Sequence, residues 1–343
     1  MISQAFSKVG DTLADSKIVL PWLLGIVGAP LFFVGLLVPL REALALLPQI
    51  FGGDWIRQFP RRKNFWSLGS LVQGGCILAM ASVALAGITG EAAGWLIIAL
   101  LVVFSLARGI ASIASKDVLG KTVSKGRRGR FSGYAGMLGG FAAGATGLLF
   151  LLTGEDAPQD WALALLALAG CMWLLGGVVF QMLPEQPGAT EGGRSLRQML
   201  REQIGLLREN RPFRRFLVTR GLLVATAFYR PIYVTMAQQR DGQGIAALGW
   251  MILASGLAAS LSSMVWGRLA DRSSRAVMAL GGGLAALLAV VVMAIVVLAP
   301  EFMTRIWFFG AVIFLLGVAH AGVRIGRKTH MVDLADGKGR TDM

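Results

Sequence analysis

The sequence contains few of the side chains that build disulfide frameworks and metal centres. It has only 2 cysteines and 2 histidines in 343 residues. Cys76, Cys171 and His320 lie inside apolar runs, where a cysteine behaves as a small hydrophobic residue, and His330 lies in a polar segment. These numbers exclude a disulfide scaffold and a clustered metal site. We therefore expect no cofactor and no metal.

Charged residues are also scarce. They make up 15% of the chain, against about 25% in a soluble domain. Hydrophobic residues reach 55% and the mean hydropathy is +0.65. The 45 glycines suit close approach of helices in lipid, where small residues mark the interfaces. The composition predicts an all-α polytopic membrane protein, with the lipid bilayer as its surroundings.

Acidic residues are the scarcer of the two signs. The chain has 19 Asp and Glu but 33 Lys and Arg, which gives a net charge of +14. Most of these cations fall in alternate loops between apolar runs, and only Arg240 and Arg305 lie in the opposite set. Cytoplasmic loops of membrane proteins carry such an excess of Lys and Arg. The positive charge therefore indicates the orientation of the chain in the membrane, and we expect no nucleic-acid partner. We expect a plasma (inner) membrane protein whose N-terminus and Met343 end are cytoplasmic.

The apolar runs predict about ten transmembrane helices. The first run allows two interpretations: one span over Ile18–Leu40, or a polar helix over Ser3–Leu24 followed by Leu31–Phe51. We favour the second, because it places the basic segment after Phe51 in the cytoplasm. The other predicted spans are Asn64–Ile88, Trp95–Ser115, Phe131–Leu152, Trp161–Leu183, Phe213–Gln238, Ile245–Val265, Ala276–Leu298 and Arg305–Val323.

A short basic loop separates the eighth and ninth predicted spans. Its residues Gly267-x-Leu269-Ala270-Asp271-Arg272-x-x-Arg275 resemble the G-x-L-A-D-R-x-G-R signature of the major facilitator superfamily of secondary transporters, with Ser274 in place of the second glycine. The resemblance implies twelve helices in two pseudo-repeated halves that rock around a central site. It also implies that Gly267, Asp271, Arg272 and Arg275 belong to a cytoplasmic gate.

The resemblance also divides the chain. Residues 1–183 would form the N-terminal half with helices one to six, residues 184–212 a cytoplasmic linker, and residues 213–343 a C-terminal half with helices seven to ten. Two helices of twelve are then missing, so we expect a truncated product or a fragment. The loop Phe51–Lys63, where the first signature copy should stand, keeps glycine and a trailing Arg-Arg-Lys but has no Ala-Asp-Arg triplet.

Ionisable residues inside predicted spans are candidates for function, because a charge in hydrocarbon is costly. Phe104–Gly109 resembles the fourth-helix motif of the family, in which an arginine takes part in proton transfer; here that arginine is Arg108. An arginine does not itself release a proton, but it acts on a carboxylate nearby. We place Asp11 and Glu42 opposite Arg108, with Arg41 as a further candidate. Changing either carboxylate to its amide should abolish uphill transport.

The seventh predicted span carries a second group of candidates. Tyr229 and Arg230 precede Pro231, and a proline inside a helix frees a backbone carbonyl that can face a cavity. With Tyr233 they could form a wall of the substrate site. A proline kink packed against a neighbouring helix explains the same residues equally well.

The leading hypothesis from these features is a permease that moves a small-molecule solute by alternating access, driven by protons. The alternative is a non-transporting membrane scaffold or an inactive transporter fragment. An integral-membrane enzyme is not expected, because the sequence has no metal cluster, serine–histidine pairing or phosphate loop.

Overall fold

A computed structural model describes residues 2–122, 125–153, 158, 160–185, 187, 190, 201, 204–205, 208–239 and 244–340. Within these residues the backbone forms helices and turns and no β-strand, so the prediction of an all-α protein is confirmed. The α-helices are α1 (Ile2–Leu13), α2 (Val19–Ile26), α3 (Leu31–Leu44), α4 (Leu47–Arg57), α5 (Lys63–Leu85), α6 (Gly90–Thr122), α7 (Lys125–Thr153), α8 (Asp160–Gln181), α9 (Arg211–Leu223), α10 (Ala225–Gln238), α11 (Ile245–Arg272), α12 (Ser274–Leu298) and α13 (Ile306–Arg340); a 3-10 helix covers Pro300–Thr304.

Eight helical stretches among the described residues are long and apolar enough to cross a membrane. They are Leu31–Gln49, Lys63–Leu85, Gly90–Thr122, Gly136–Thr153, Asp160–Gln181, Ile245–Arg272, Ser274–Leu298 and Trp307–Met331. The first and seventh predicted spans do not belong to this set, because each is divided into two short helices, α1 with α2 and α9 with α10. The chain is a multi-pass membrane protein.

A polar turn separates α1 from α2. The Asp15 carboxylate accepts a hydrogen bond from the backbone N–H of Lys17 (3.1 Å), and the Asp15 carbonyl accepts one from the N–H of Val19 (2.8 Å). Aspartate side chains that bond the backbone locally compete with the helix ladder. The turn leaves Asp11 in the last turn of α1 and Asp15 just beyond the helix.

The chain divides into two compact units. Unit 1 contains Met1–Thr146 and Asp156–Met199, and unit 2 contains Gly147–Glu155 and Leu200–Met343. In unit 1, α5 packs between α6 and α8, α1 packs on α8, and α3 and α4 pack on α6. Glycine allows close approach of these helices: a Cβ at Gly74 of α5 would lie 2.7 Å from the carbonyl oxygen of Gly170 on α8.

Unit 2 is arranged around α13, which packs against α11, α12, α10 and α9. The indole N–H of Trp266 on α11 donates to the Val318 carbonyl on α13 (2.9 Å), and its ring fills the space beside Gly322. A Cβ at Gly281 of α12 would lie 2.8 Å from the Ala319 carbonyl oxygen. Through these contacts, α11 and α12 pack closely against α13.

Several segments predicted as loops are helical. The signature residues up to Arg272 form the last turns of α11, and only Ser273 is extended before its hydroxyl caps α12 at the Ala276 N–H (3.3 Å). The basic loop after the fourth span continues α6 to Thr122, and α13 continues through the predicted tail to Arg340. Arginine and lysine are good helix formers, so hydropathy marks where a helix leaves the lipid and not where the helix ends. Most of the predicted linker 184–212 lies outside the described residues.

Candidate functional site

Unit 1 contains a cluster of charged side chains between α1, α3 and α6, formed by Asp11, Asp15, Arg41 and Arg108 and called here the Asp11 cluster. Arg108 donates from both terminal nitrogens to Asp11: Nη2 lies 2.8 Å from Oδ2, and Nη1 bonds Oδ1. The Asp11 side chain is 16% exposed and that of Arg108 is 32% exposed. A two-point arginine–carboxylate contact of this kind fixes geometry as well as charge.

Arg41 on α3 is the second cation of the Asp11 cluster. Its Nη2 lies 3.8 Å from Oδ1 of Asp11, and its Nη1 lies 3.9 Å from Oδ1 of Asp15. The guanidinium also stands 5.6 Å from the centre of the Phe104 ring, in a cation–π contact. Asp11 therefore lies between two arginines, and two carboxylates balance the two cations.

Glu42 occupies a different place from its neighbour Arg41. The Glu42 side chain is 50% exposed and its carboxylate lies 3.5 Å from Nζ of Lys17, whereas the two-point partner of Arg108 is Asp11. Adjacent residues on a helix point about 100° apart, so α3 directs Arg41 inward and Glu42 towards the surface of the unit. Of the two carboxylates expected opposite Arg108, Asp11 makes the two-point contact.

Close helix packing positions Arg108 on α6. A Cβ at the next residue, Gly109, would lie 2.6 Å from the Ala45 carbonyl oxygen and 2.8 Å from Pro48, so only glycine fits there without a shift. On the other side, Gln4 of α1 donates to the Ser115 hydroxyl of α6 (2.8 Å). Both contacts hold α6 at a fixed distance from the helices that carry the other charges.

The chemistry available to this cluster is proton exchange at a carboxylate. Arginine keeps its proton at ordinary pH, so the member in direct contact with Arg108 that can exchange a proton is the Asp11 carboxylate. Removing one partner of a buried ion pair leaves an uncompensated charge and costs about 3–5 kcal/mol, and less where water reaches the group. The contact between Asp11 and Arg108 therefore couples the charge of the carboxylate to the separation of α1 and α6.

A second charge cluster of unit 1, which sequence reasoning missed, lies at the start of α5. Arg62 bonds Asp117, and Lys121 lies 2.8 Å from the other oxygen of Asp117. The fully buried Glu185 carboxylate accepts the backbone N–H groups of Arg62 (3.1 Å) and Lys63 (2.8 Å) and lies 3.4 Å from Lys121. The spacing of Asp117 and Lys121 on α6 is the one signal that could have predicted part of it.

Unit 2 brings together the candidates of the seventh predicted span. The rings of Tyr229 and Tyr233 are nearly parallel, with centroids 6.4 Å apart, and the side chain of Arg230 is buried. Arg230 Nη2 would lie 3.2 Å from a Cβ at Gly317 of α13, so it reaches the backbone of that helix. The Thr226 hydroxyl lies 3.0 Å from Nδ1 of His320 on α13. Arg230 therefore lies within the helical core of this unit.

The signature residues lie at one end of unit 2. Gly267 is in α11 with open space beside it, and the side chains of Asp271, Arg272 and Arg275 are exposed. The last three line a cavity of about 440 Å³, whose wall on α13 includes His330. Among the described residues, no group of three or more His, Cys, Asp and Glu could hold a metal ion.

The sequence and the fold were compared with known protein families and solved structures. The family model described as the Major Facilitator Superfamily matches residues 2–341. The chain belongs to the Major Facilitator Superfamily. Its members are membrane transporters of solutes, so the family resemblance read from Gly267–Arg275 is confirmed. No curated protein matches the sequence.

Solved structures of this superfamily share the fold at low sequence identity. A nucleoside transporter, NupG, is 11% identical with a TM-score of 0.60, and the alignment covers 95% of this chain and 90% of that chain. A D-xylose–proton symporter is 12% identical with a TM-score of 0.59, covering 95% and 81%. A bacterial homologue of the iron transporter ferroportin, in an inward-facing state, is 19% identical with a TM-score of 0.55, covering 97% and 82%.

Proposed function

We propose that this chain is a proton-coupled permease that moves a small solute across the membrane by alternating access. The contact between Asp11 and Arg108 carries the proposal, because it combines an exchangeable carboxylate with a fixed cation on two different helices. Membrane segments seldom retain such charges without a role in ion or proton movement.

In the proposed cycle, the proton binds and leaves at the Asp11 carboxylate. While Arg108 is in contact, the negative charge of Asp11 is stabilised and no proton is held. When α1 and α6 move apart, the carboxylate loses that cation and accepts a proton from water. Arg41 remains beside Asp15, and the carboxylate of Asp15 continues to balance the charge of Arg41. Closure on the opposite side of the membrane restores the ion pair and releases the proton.

The solute would contact unit 2 at Arg230, with Tyr229 and Tyr233 beside it. A guanidinium and two phenol hydroxyls provide hydrogen-bond donors, and the two rings provide flat apolar faces. This combination suits a small polar solute that carries hydroxyl, carbonyl or acidic groups. Related folds named for nucleosides, D-xylose and iron provide the first probes.

The proposed orientation follows from charge. The signature residues Asp271, Arg272 and Arg275 would belong to the cytoplasmic gate, with both chain ends on that side of the plasma membrane. Residues 1–183 and 213–343 would act as the two moving halves, joined by 184–212. The charges of Arg62 and Glu185 would take the place of the missing first signature copy.

Transport driven by an imposed pH gradient tests this proposal. Proteoliposomes whose interior is either more acidic or more alkaline than the medium would be incubated with radiolabelled uridine, D-xylose or ferrous iron, with and without a protonophore. We expect accumulation or extrusion of one probe that depends on the gradient and disappears with the protonophore. Movement of every probe at the rate of protein-free liposomes, under all conditions, would favour the non-transporting scaffold.

A further inference from the structure

A groove in unit 2 lies between α9 and α12 and is called here the α9–α12 groove. Residues of α9 at helical spacing form one wall, namely Pro212, Arg215, Phe216, Thr219 and Leu223. Residues Arg275, Met278 and Ala279 of α12 form the other wall, and His330 of α13 completes the lining. The groove encloses about 440 Å³.

The two ends of the groove differ in chemistry. Arg215 and Arg275 lie at the end where α12 begins, which is also where its candidate membrane span begins. Further along α12 the lining is apolar, and the groove closes where a Cβ at Gly282 would lie 2.9 Å from the Leu223 side chain. Gly282 is seven positions after Arg275 on α12, a rise of roughly 10 Å along the helix axis. The groove therefore runs from a cationic edge into the hydrocarbon.

The cationic edge continues into the cavity beside the signature. That cavity shares Arg275 and His330 with the groove and adds Arg272, Asp271 and Thr329. His330 is 9% exposed and its Nδ1 lies 3.1 Å from the Ser274 hydroxyl, so the shared wall is fixed. Three arginines against one carboxylate leave a net positive lining with hydroxyl donors. Such a lining suits a phosphate group.

We propose that the α9–α12 groove binds one anionic phospholipid. The phosphate of the lipid contacts Arg215 and Arg275, its headgroup occupies the cavity beside Arg272, and one acyl chain lies against Phe216 and Met278. Basic pockets at the membrane boundary bind anionic headgroups in this way. The apolar walls distinguish a lipid from a free phosphate, because a soluble anion makes no use of them. Zwitterionic lipids place a cation near three arginines and bind more weakly.

Native mass spectrometry of the purified full chain, titrated with dioleoyl phosphatidylglycerol or dioleoyl phosphatidylcholine, measures this binding. We expect one phosphatidylglycerol to bind more tightly than phosphatidylcholine. The double variant R215Q/R275Q should lose about tenfold or more of that affinity. The matched double variant R214Q/R268Q removes two exposed cations that line neither cavity, and it should stay close to the unmodified protein. The single variants R215Q and R275Q provide the same comparison if the double variant is not monodisperse.

A second pair of variants tests the acyl chain. Ala279→Leu narrows the groove and should weaken phosphatidylglycerol binding, whereas Ala276→Leu changes an exposed alanine outside the lining and should not. Equal affinity for the two lipids, or equal losses in the two double variants, would overturn the proposal. Displacement of the lipid by glycerol phosphate, with no effect of Ala279→Leu, would overturn the lipid and assign a soluble phosphate.

Discussion

Asp11 and Arg108 form a two-point ion pair that joins α1 to α6 within unit 1, with the Nη2–Oδ2 distance at 2.8 Å. The residues are 97 positions apart in sequence and belong to different helices, so the pair reports the relative position of those helices. Arg41 adds a second cation at 3.8 Å from Asp11. A change of charge on this one carboxylate therefore affects three helices.

Asp11→Asn should abolish transport against a gradient. The amide keeps the shape of the carboxylate but can neither bind a proton nor balance two guanidinium groups. We expect solute accumulation to fall to the level of equilibration, with monodisperse protein still recovered. Glu91→Gln makes the same chemical change at an exposed position in the first turn of α6, and it should keep full accumulation. Accumulation by Asp11→Asn at the unmodified level would exclude the carboxylate from the mechanism.

Glu42→Gln should have a smaller effect than Asp11→Asn. The half-exposed Glu42 pairs with Lys17, and an exposed ion pair contributes at most about 1 kcal/mol. Initial uptake rates of the two variants, measured side by side, give the comparison. A loss in Glu42→Gln as complete as in Asp11→Asn would restore Glu42 as a proton-binding residue beside Arg108.

The stability of the ion pair can be measured by a double-mutant cycle. Arg108→Gln removes the two-point partner of Asp11, and Asp11→Asn leaves two arginines without the carboxylate between them, so each single change should lower the free energy of unfolding. The combined variant removes both charges and should recover part of the loss, with a coupling of about 1–3 kcal/mol. Thermal or denaturant unfolding in detergent measures it. Strictly additive losses would show that the pair contributes nothing to stability.

Gly109→Ala should displace α6 and weaken both stability and transport. The added methyl group would meet the Ala45 carbonyl oxygen at 2.6 Å, and overpacking of this kind costs about 1–3 kcal/mol. Gly75→Ala on α5 is the control, because nothing lies within 4 Å of its Cβ position. The melting midpoint should fall for Gly109→Ala and stay level or rise for Gly75→Ala. Equal melting midpoints for the two variants would indicate that α6 shifts to accommodate the methyl group without loss of stability.

Glu185→Ala should destabilise unit 1. Its buried carboxylate accepts two backbone N–H groups and neutralises Lys121, and hydrogen bonds to a charged group contribute about 1.5–3 kcal/mol each. Glu185→Gln keeps one acceptor oxygen and should lose less. Melting curves of both variants, with the exposed Glu91→Ala as the reference, test the order. An unchanged midpoint in Glu185→Ala would show that water replaces the carboxylate.

Long apolar runs and the signature at Gly267–Arg275 were sufficient to predict a helical membrane protein of this superfamily. They were not sufficient to place helix ends, because the basic residues that end an apolar run, such as Arg268 and Lys121, continue the helix beyond the lipid. The break after α1 coincides with local hydrogen bonds to Asp15, whose carboxylate accepts the Lys17 N–H, and hydropathy does not detect such bonds.

The candidate site could be predicted only where a motif marked it. Arg108 was found from its motif and Asp11 from its unusual position in a span. Which of Arg41 and Glu42 faces inward was not readable, since an apolar helix surrounded by lipid has no clear polar face to fix its rotation. The partnership of Arg62 and Glu185 spans 123 positions and needs the folded chain.

Simultaneous recording of solute and proton movement in proteoliposomes tests the account most directly. A trapped pH dye would report the interior while a probe solute is added without an imposed gradient. We predict that solute entry or exit moves protons in the unmodified protein and in Glu91→Gln, and that solute movement in Asp11→Asn moves no protons. Solute movement without any proton movement in the unmodified protein, or proton movement retained in Asp11→Asn, would contradict the account.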